Sequence, residues 1–327
     1  ARLQGRTYAE IAAGGGGIRY TMRAVAATSA KRLTAQARGH LATMARYGTT
    51  TVEAKSGYGQ GDAIELRLLR IAKALDGDPL TVLPTFLGLH ATPPAFDGDT
   101  DGYRRHITTD LLPRVAAARL TRFADAYCDS GAFTVPQVRE YLAATVRHGL
   151  APKIHASQFS EIGAVALALE FQALSVDHLE AIGPAQVEEL ARSHTIATLL
   201  PGSVFHLGLQ RFAPARALID AGAAVALATD FNPGTSPSCS MQMTLSLACT
   251  QMRMTPAEAV SAATINGAHA LGLAGQCGSL EAGKDGDFLV LNVSDYRELP
   301  YAFGLNHVAM TVKRGSVIYC EKDGLPQ

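Results

Sequence analysis

Three residues with the chemistry of metal ligands stand at the ends of apolar runs. His155 lies near the end of APKIHA, His178 closes ALSVDH, and Asp230 closes AAVALATD. Imidazole nitrogens and a carboxylate oxygen bind Zn²⁺-like ions, and such ions activate water for hydrolysis. A carboxylate after so apolar a run must be paired, hydrogen-bonded or on a metal. The spacing therefore predicts either a divalent metal site or a set of hydrogen-bonded polar side chains.

Further candidates lie in two loops and beside two of the apolar runs. The segments 56–59 (SGYG) and 230–237 (DFNPGTSP) are dense in turn-forming and small polar residues. Such segments are either tight connections between strand and helix or substrate loops that present backbone N–H groups and the Asn232 amide. His90 follows one apolar run, and Gln158 comes shortly after another.

Several other kinds of catalytic site are disfavoured. The run Gly14–Gly17 lacks the preceding strand and the Lys-Ser/Thr pair of a phosphate-binding loop. The G-x-S-x-G motif of serine hydrolases does not occur. The five cysteines form no C-x-x-C pair, which disfavours a zinc finger or a disulfide scaffold and fits a reducing compartment.

The candidate residues must be positioned by alternating strands and helices. Helix-like segments such as 63–75 and 135–149 separate the apolar runs, and the residues 255–258 (TPAE) predict a capped helix start. Seven runs have the size and β-branched content of buried strands: 47–54, 80–88, 122–128, 151–156, 173–178, 195–200 and 223–230. This alternation predicts parallel βαβ units.

The positions of the polar residues decide between a closed barrel and an open sheet. They follow several different runs, as in a (β/α)₈ barrel, whereas an open sheet would use only the strands at its switch point. A closed barrel needs eight strands, so we expect one strand to be absent from this chain. We predict an incomplete barrel over 1–272. The segments 278–292 and 307–320 read as antiparallel strands, and we predict part of a small β-sandwich domain over 273–327.

Composition narrows the function further. The chain has 327 residues, 47% of them hydrophobic, with 29 Lys+Arg against 29 Asp+Glu. This balance disfavours a nucleic-acid-binding surface, and no uninterrupted apolar run is long enough to span a membrane. The start has neither Met nor the features of a signal peptide. We therefore expect a cytoplasmic protein that acts on a small molecule.

Seven segments of the chain form a recognisable set: RYGTTTVEAKSGYG, TFLGLHATPP, KIHASQ, SVDHLE, TLLPGSVFHLG, LATDFNPGTSP and GLNHVAMTVKRGSVIY. In this order they resemble the imidazolonepropionase family of the amidohydrolase superfamily, which acts in histidine degradation. The resemblance implies a metal-dependent (β/α)₈ barrel with a small β-sandwich built from both chain ends, one divalent Zn or Fe ion, and a possible homodimer. It implies hydrolysis of the cyclic amide C–N bond of 4-imidazolone-5-propanoate to N-formimidoyl-L-glutamate.

The resemblance also implies roles for individual residues. His155 matches a metal ligand, Asp230 matches a ligand that also handles the proton of the water, and His178 matches the residue that orients the water and stabilises charge. Some family members carry Glu in place of Gln158, and a Gln cannot act as a base, so we assign it hydrogen bonding only. The substrate-binding positions are matched by Tyr58, His90, Gln158, Asn232, Gly234 and Thr235.

The chain departs from the family pattern at its start. The family's first strand ends in a His-x-His pair of metal ligands, and this chain contains no such pair. We expect the chain to lack the N-terminal segment of the enzyme and to be inactive by itself. The alternatives are another amidohydrolase, such as an aminohydrolase or a hydantoinase-like enzyme, and a non-catalytic fragment.

Overall fold

A parallel sheet of seven strands dominates the structure. The computed structural model describes residues 1–6, 10–11 and 14–321. Within these residues the strands form one sheet in the order β1 to β7, so the predicted strand number and direction are confirmed. The strands are β1 (Thr51–Lys55), β2 (Thr81–Leu89), β3 (Phe123–Cys128), β4 (Ala151–Ala156), β5 (Ser175–His178), β6 (Ile196–Leu199) and β7 (Val225–Leu227).

Helices follow the strands and cover the outside of the sheet. Short 3₁₀ turns span Arg2–Gln4 and Pro94–Phe96, and a π-helical turn spans Ile107–Leu111. The helices of the described residues are α1 (Gly17–Ala27), α2 (Ala30–Arg46), α3 (Asp62–Ala74), α4 (Thr100–His106), α5 (Leu112–Ala117), α6 (Val135–Arg147), α7 (Ala164–Glu170), α8 (Pro184–Ala191), α9 (Pro201–Leu207), α10 (Ala215–Asp220), α11 (Met241–Met252), α12 (Pro256–Ala263), α13 (Ile265–Ala270) and α14 (Glu298–Tyr301). None of them is long and apolar enough to cross a membrane.

The main hydrophobic core lies between these helices and the sheet. Leu69 of α3 and Leu142 of α6 pack with Phe86 of β2 and Ile154 of β4, and all four side chains are fully buried. Because every strand runs in the same direction, the carboxyl ends of β1 to β7 meet at one edge of the sheet. The fold therefore collects at one mouth the polar residues that end the strands.

The sheet is not closed within the described residues. There β1 pairs only with β2 and β7 pairs only with β6. A cavity of about 1330 Å³ lies between the two edge strands and is lined by residues from both. The eighth strand of a closed barrel is thus not among the residues that the structure describes.

A small antiparallel sheet packs against helix α2. It has the order β10-β9-β8, with β8 (Phe288–Leu291), β9 (Val308–Lys313) and β10 (Ser316–Cys320). Thr311 of β9 donates a hydrogen bond of 2.8 Å to the carbonyl oxygen of Ala45 in α2, which ties the two parts together. The antiparallel pairing predicted for 307–320 is confirmed. Of the predicted segment 278–292, only its last part forms a strand, because the preceding residues GSLEAGKDGD favour turns.

The predicted capping box begins helix α12. The side chain of Thr255 accepts the backbone N–H of Glu258 at 3.3 Å, and the carboxylate of Glu258 accepts that of Thr255 at 2.8 Å. Arg216 of α10 adds two hydrogen bonds to the same carboxylate, at 2.9 and 3.0 Å. Hydrogen bonds from Arg216, then from the Thr255 backbone, lower the pKa of Glu258 to about 2.

We expect the contribution of Glu258 to stability to depend on pH. A carboxyl group whose pKa is lower in the folded than in the unfolded state stabilises the fold above the unfolded-state value, and this stabilisation is lost as pH falls toward the folded-state value. Glu258→Gln should therefore lower the free energy of unfolding by about 1 kcal/mol at pH 7. The difference should shrink between about pH 4.5 and pH 2. Urea unfolding at several pH values measures it, and a difference that grows on acidification would contradict the assignment.

Candidate active site

The predicted site residues meet at the mouth formed by the carboxyl ends of the strands. Their side chains or backbones all line the same cavity between β1 and β7. They come from strand ends and strand-to-helix loops that are far apart in sequence. The residues that the structure brings together in this way are Tyr58, His90, His155, Gln158, His178, Asp230, Asn232, Gly234 and Thr235.

Three strand ends at this mouth have a left-handed backbone. His178 has φ 84°, Asp230 has φ 51°, and Ser157, two residues after His155, has φ 54°. For residues with a Cβ atom this conformation costs roughly 1–2 kcal/mol each. Strain of this kind is concentrated at functional sites, where the surrounding structure holds it. At these three positions the backbone therefore sets the direction of the side chain at a cost in stability.

The ring of His155 is held from inside the barrel by Asp125 of β3. The Nδ1 atom of His155 lies 3.1 Å from Oδ1 of Asp125, whose side chain is fully buried. The ammonium group of Lys55 donates to the other carboxylate oxygen of Asp125 at 2.6 Å. A carboxylate can only accept here, so His155 donates through Nδ1 and keeps the lone pair of Nε2 for a ligand.

A second group of potential metal ligands lies deeper, but a lysine already forms ion pairs with two of them. Asp125, His155 and Asp177 bring three ligand atoms within 4.8 Å of one another. The Nζ atom of Lys55 lies 2.6 Å from Asp125 and 3.1 Å from Asp177. Since the ammonium group of Lys55 forms ion pairs with both carboxylates, we interpret this cluster as an ion-pair network and not as a metal site.

This network extends to β1 and β4. Glu53 accepts from Lys55 at 3.1 Å and from the fully buried Lys153 at 2.9 Å. Burial alone would raise the pKa of Glu53, but Lys153 and Lys55 lower it to about 2. The sequence patterns that predict the residues of the mouth do not single out Glu53, Lys55, Asp125 or Lys153. The sequence signal that indicates such a network is a carboxylate inside an apolar run, because a buried charge requires a partner.

Glu180 holds the ring of His178. The Nδ1 atom of His178 lies 3.5 Å from Oε1 of Glu180, and both side chains are buried. Burial opposes charge on the ring, but the carboxylate of Glu180, followed by that of Asp230, raises the pKa of His178 to about 9. The ring centroid of His178 is 5.5 Å from that of His155. His178 can thus present an N–H donor at Nε2 close to the ring of His155.

The loop after β7 holds Asp230 and is organised by Asn232. Burial raises the pKa of Asp230, while His178 and His155 oppose this shift. The Oδ1 atom of Asn232 accepts the backbone N–H groups of Gly234 and Thr235, both at 2.8 Å. Its Nδ2 atom donates to the carbonyl oxygen of Asp230 at 2.7 Å. The amide of Asn232 therefore builds the loop in this structure, and two backbone N–H groups point to the same acceptor.

His90 and Tyr58 line the same cavity. The Nδ1 atom of His90 lies 3.1 Å from the carbonyl oxygen of Gly57, and the ring of Tyr58 meets the His90 ring edge-on at 5.2 Å. Burial, then the neighbouring His155, lowers the pKa of His90 to about 4. His90 is therefore neutral near pH 7, with Nδ1 donating and Nε2 left as an acceptor. Gln158 accepts a hydrogen bond of 3.0 Å from the hydroxyl of Tyr127, which fits its assignment to hydrogen bonding.

Comparison with solved structures shows the same architecture. Guanine deaminase from Escherichia coli superimposes with a TM-score of 0.71 at 16% identity, over 92% of this chain and 77% of the deaminase. An adenosine deaminase from Xanthomonas campestris, solved with bound zinc, gives a TM-score of 0.67 at 16% identity, over 93% of this chain and 73% of that one. At these identities the likeness shows the fold alone.

Sequence comparison identifies the family. A model of the amidohydrolase family matches residues 12–319. The imidazolonepropionase of Rubrobacter xylanophilus is 48% identical over 318 residues, which is 97% of this chain and 76% of that protein. The imidazolonepropionase of Deinococcus radiodurans is 49% identical over 316 residues, 97% of this chain and 77% of that protein. The resemblance seen in the motifs is thereby confirmed, and the chain belongs to the imidazolonepropionase family of amidohydrolases.

Proposed function

We propose that this protein hydrolyses the cyclic amide C–N bond of 4-imidazolone-5-propanoate to N-formimidoyl-L-glutamate in histidine degradation. Its relatives at 48–49% identity are imidazolonepropionases. The observation that carries the proposal is the convergence of His155, His178 and Asp230 in one cavity, with both rings held by buried carboxylates. An acidic partner behind each ring is the arrangement that orients histidines for metal binding and charge stabilisation.

The donor set of the mouth fits one divalent ion, Zn or Fe. His155 offers Nε2 and Asp230 offers a carboxylate oxygen, a nitrogen–oxygen set that these ions accept. The zinc of the adenosine deaminase with the same fold supports this assignment. When bound, such an ion supplies Lewis-acid activation of water. We assign His155 and Asp230 as ligands.

The chain's own groups then handle the proton and the developing charge. The carboxylate of Asp230 takes a proton from the attacking water and delivers it to the leaving ring nitrogen. Nε2 of His178 donates a hydrogen bond to the oxygen of the attacked carbonyl as negative charge develops there. Glu180 keeps the ring of His178 in position for this task.

Two walls of the cavity bind the two ends of the substrate. Tyr58, His90 and Gln158 lie on the side that we assign to the imidazolone ring. The loop of Asn232, Gly234 and Thr235, which lines the same cavity, is assigned to the propanoate because it matches the substrate-binding segment of the family. We further propose a cytoplasmic location and a homodimer.

A product assay tests the proposal. The protein in its full encoded length, supplied with Zn²⁺ or Fe²⁺, should convert 4-imidazolone-5-propanoate to N-formimidoyl-L-glutamate, as measured by mass spectrometry. His178→Ala should lower kcat by about 10²–10³-fold with its metal content retained, and the exposed His194→Ala should have no effect. Release of ammonia from compounds with an exocyclic amine would instead identify an aminohydrolase. Residues 1–327 contain no His-x-His pair, so this segment alone should hold metal weakly and turn over little substrate.

A further inference from the structure

A buried carboxylate on helix α3 holds the loop that carries Tyr58. Glu65 is 6% exposed. Its Oε1 atom accepts the backbone N–H of Gly57 at 2.5 Å, and its Oε2 atom accepts that of Gly59 at 2.8 Å. The two oxygens thus bind the loop on either side of Tyr58. Both contacts constrain the backbone from which that ring projects into the cavity.

Both glycines of the loop are required by this arrangement. Gly57 has φ +100°, and a Cβ atom there would lie 2.9 Å from Nδ1 of His90. A Cβ atom on Gly59 would lie 2.5 Å from Oε2 of Glu65. The backbone of SGYG therefore approaches the carboxylate and His90 more closely than any residue with a side chain would allow.

The same loop fixes His90. The carbonyl oxygen of Gly57 accepts the Nδ1–H of His90 at 3.1 Å. Because that carbonyl can only accept, it sets the tautomer of the ring and leaves Nε2 as an acceptor toward the cavity. A chain of contacts thus runs from Glu65 through Gly57 to His90, and a second one runs from Glu65 to Tyr58.

The burial of Glu65 is not offset by an ion pair with any residue that the structure describes. Glu53 is paired with two lysines, whereas among the described residues no cation forms an ion pair with Glu65. Burial raises the pKa of Glu65, and hydrogen bonds from Ser56, Gly57 and Gly59 oppose the rise. A buried charge held by neutral donors alone is unfavourable for stability. Glu65 lies directly behind the loop, so we look for its role in holding the loop backbone and not in stabilising the fold.

We infer that Glu65 is a positioning residue that presents Tyr58 and His90 together as one half of the substrate site. This inference rests on the proposed function and extends it: the site selects rings that offer an N–H donor to the acceptor atom of His90. The imidazolone ring carries such a donor, and a ring without one leaves this acceptor unpaired. Glu65 itself is in contact with neither the imidazolone ring nor a metal ligand. It acts on the substrate site through the backbone of the loop.

The test removes one acceptor from Glu65 without changing its shape. In Glu65→Gln the amide NH₂ faces one of the two backbone N–H groups, so one hydrogen bond is lost and two donors oppose each other. The protein in its full encoded length is titrated with imidazole-4-propanoate as a stable probe. The Kd should rise about 10-fold, and the amides of 57–59 should exchange hydrogen at least about 10-fold faster by mass spectrometry. Asp62→Asn, on the same helix but bound to Arg114 and His106, should change neither quantity.

A double-mutant cycle separates positioning from a general loss of stability. Tyr58→Phe removes the hydroxyl that Glu65 is inferred to position, so Glu65→Gln should weaken probe binding less in that background than in the wild type. Gly59→Ala provides a second route, because its Cβ atom would lie 2.5 Å from Oε2 and 2.8 Å from the backbone nitrogen of Glu65, so the contact between the loop and Glu65 must change. It should reproduce the rise in Kd even if Glu65→Gln does not fold.

Each outcome is decisive. Equal effects of Glu65→Gln in both backgrounds, or unchanged hydrogen exchange at 57–59, would overturn the positioning role. If the wild type binds the probe and Glu65→Gln and Gly59→Ala bind it as tightly as the wild type does, the inference fails while the proposed function stands. If the wild type does not bind the probe, the proposed substrate is wrong and the inference fails with it.

Discussion

Asp230→Asn is expected to lower kcat/KM by about 10³-fold or more. The substitution keeps the shape of the side chain and removes both the proton acceptor and the anionic ligand that we assign to this position. The fold should survive, because Asn tolerates the left-handed backbone that Asp230 adopts, at φ 51°. Steady-state kinetics with 4-imidazolone-5-propanoate measures the loss.

Metal analysis of the same variant tests the ligand role separately. Asp230→Asn should hold zinc or iron below one ion per chain under conditions in which the wild type is saturated. Asp220→Asn, an exposed aspartate of α10, serves as the matched control and should leave turnover and metal content unchanged. Turnover by Asp230→Asn at the wild-type rate would remove Asp230 from the reaction.

Lys55→Met is expected to cause a large loss of stability, about 3–5 kcal/mol in the free energy of unfolding. Lys55 lies within 3.1 Å of three carboxylates, those of the buried Asp125 and Asp177 and of the partly buried Glu53. Without the ammonium group, Asp125 and Asp177 lose their lysine ion pairs and Glu53 keeps only that with Lys153, so their mutual repulsion and desolvation are offset far less. Urea unfolding at pH 7 measures the loss, and Lys73→Met, whose Nζ atom donates only to a backbone carbonyl at the surface, should change stability by less than about 0.5 kcal/mol.

A second measurement links this network to the mouth. Since Asp125 holds the Nδ1 atom of His155, disorder of Asp125 should weaken metal binding by about 10–100-fold. The double variant Lys55→Met/Asp177→Asn removes one of the unpaired carboxylates and should recover part of the lost stability. If Lys55→Met is as stable as the wild type, the buried carboxylates have another source of compensation and the ion-pair interpretation is wrong.

The sequence predicted the mouth residues because their signal is local. His178 and Asp230 close apolar runs, and strands of one direction end at one edge of a sheet. Such a prediction needs no knowledge of which strands are neighbours. It did not extend to the spatial roles of individual atoms: the amide of Asn232 binds its own loop, which residue type alone does not reveal.

The partners behind the mouth could not be predicted in the same way. Asp125 binds Lys55 across 70 positions of sequence, and their contact depends on the register of β1, β2 and β3. Glu65 lies on an amphipathic helix, where a carboxylate is ordinarily solvated, and only the close approach of the glycine loop turns it inward. Register and backbone approach are properties of the folded chain, and no local pattern encodes them.

The left-handed strand ends carry a consequence for the evolution of this protein. At residues 157, 178 and 230 a glycine would relieve a backbone penalty of roughly 1–2 kcal/mol, yet at 178 and 230 it would delete the side chains to which we assign roles in the reaction. Selection for heat resistance alone would therefore favour glycine at these positions, and at 178 and 230 it would thereby favour less active sequences. The gain in stability and the loss of turnover would come from the same substitutions, so the two properties compete at individual residues of this mouth.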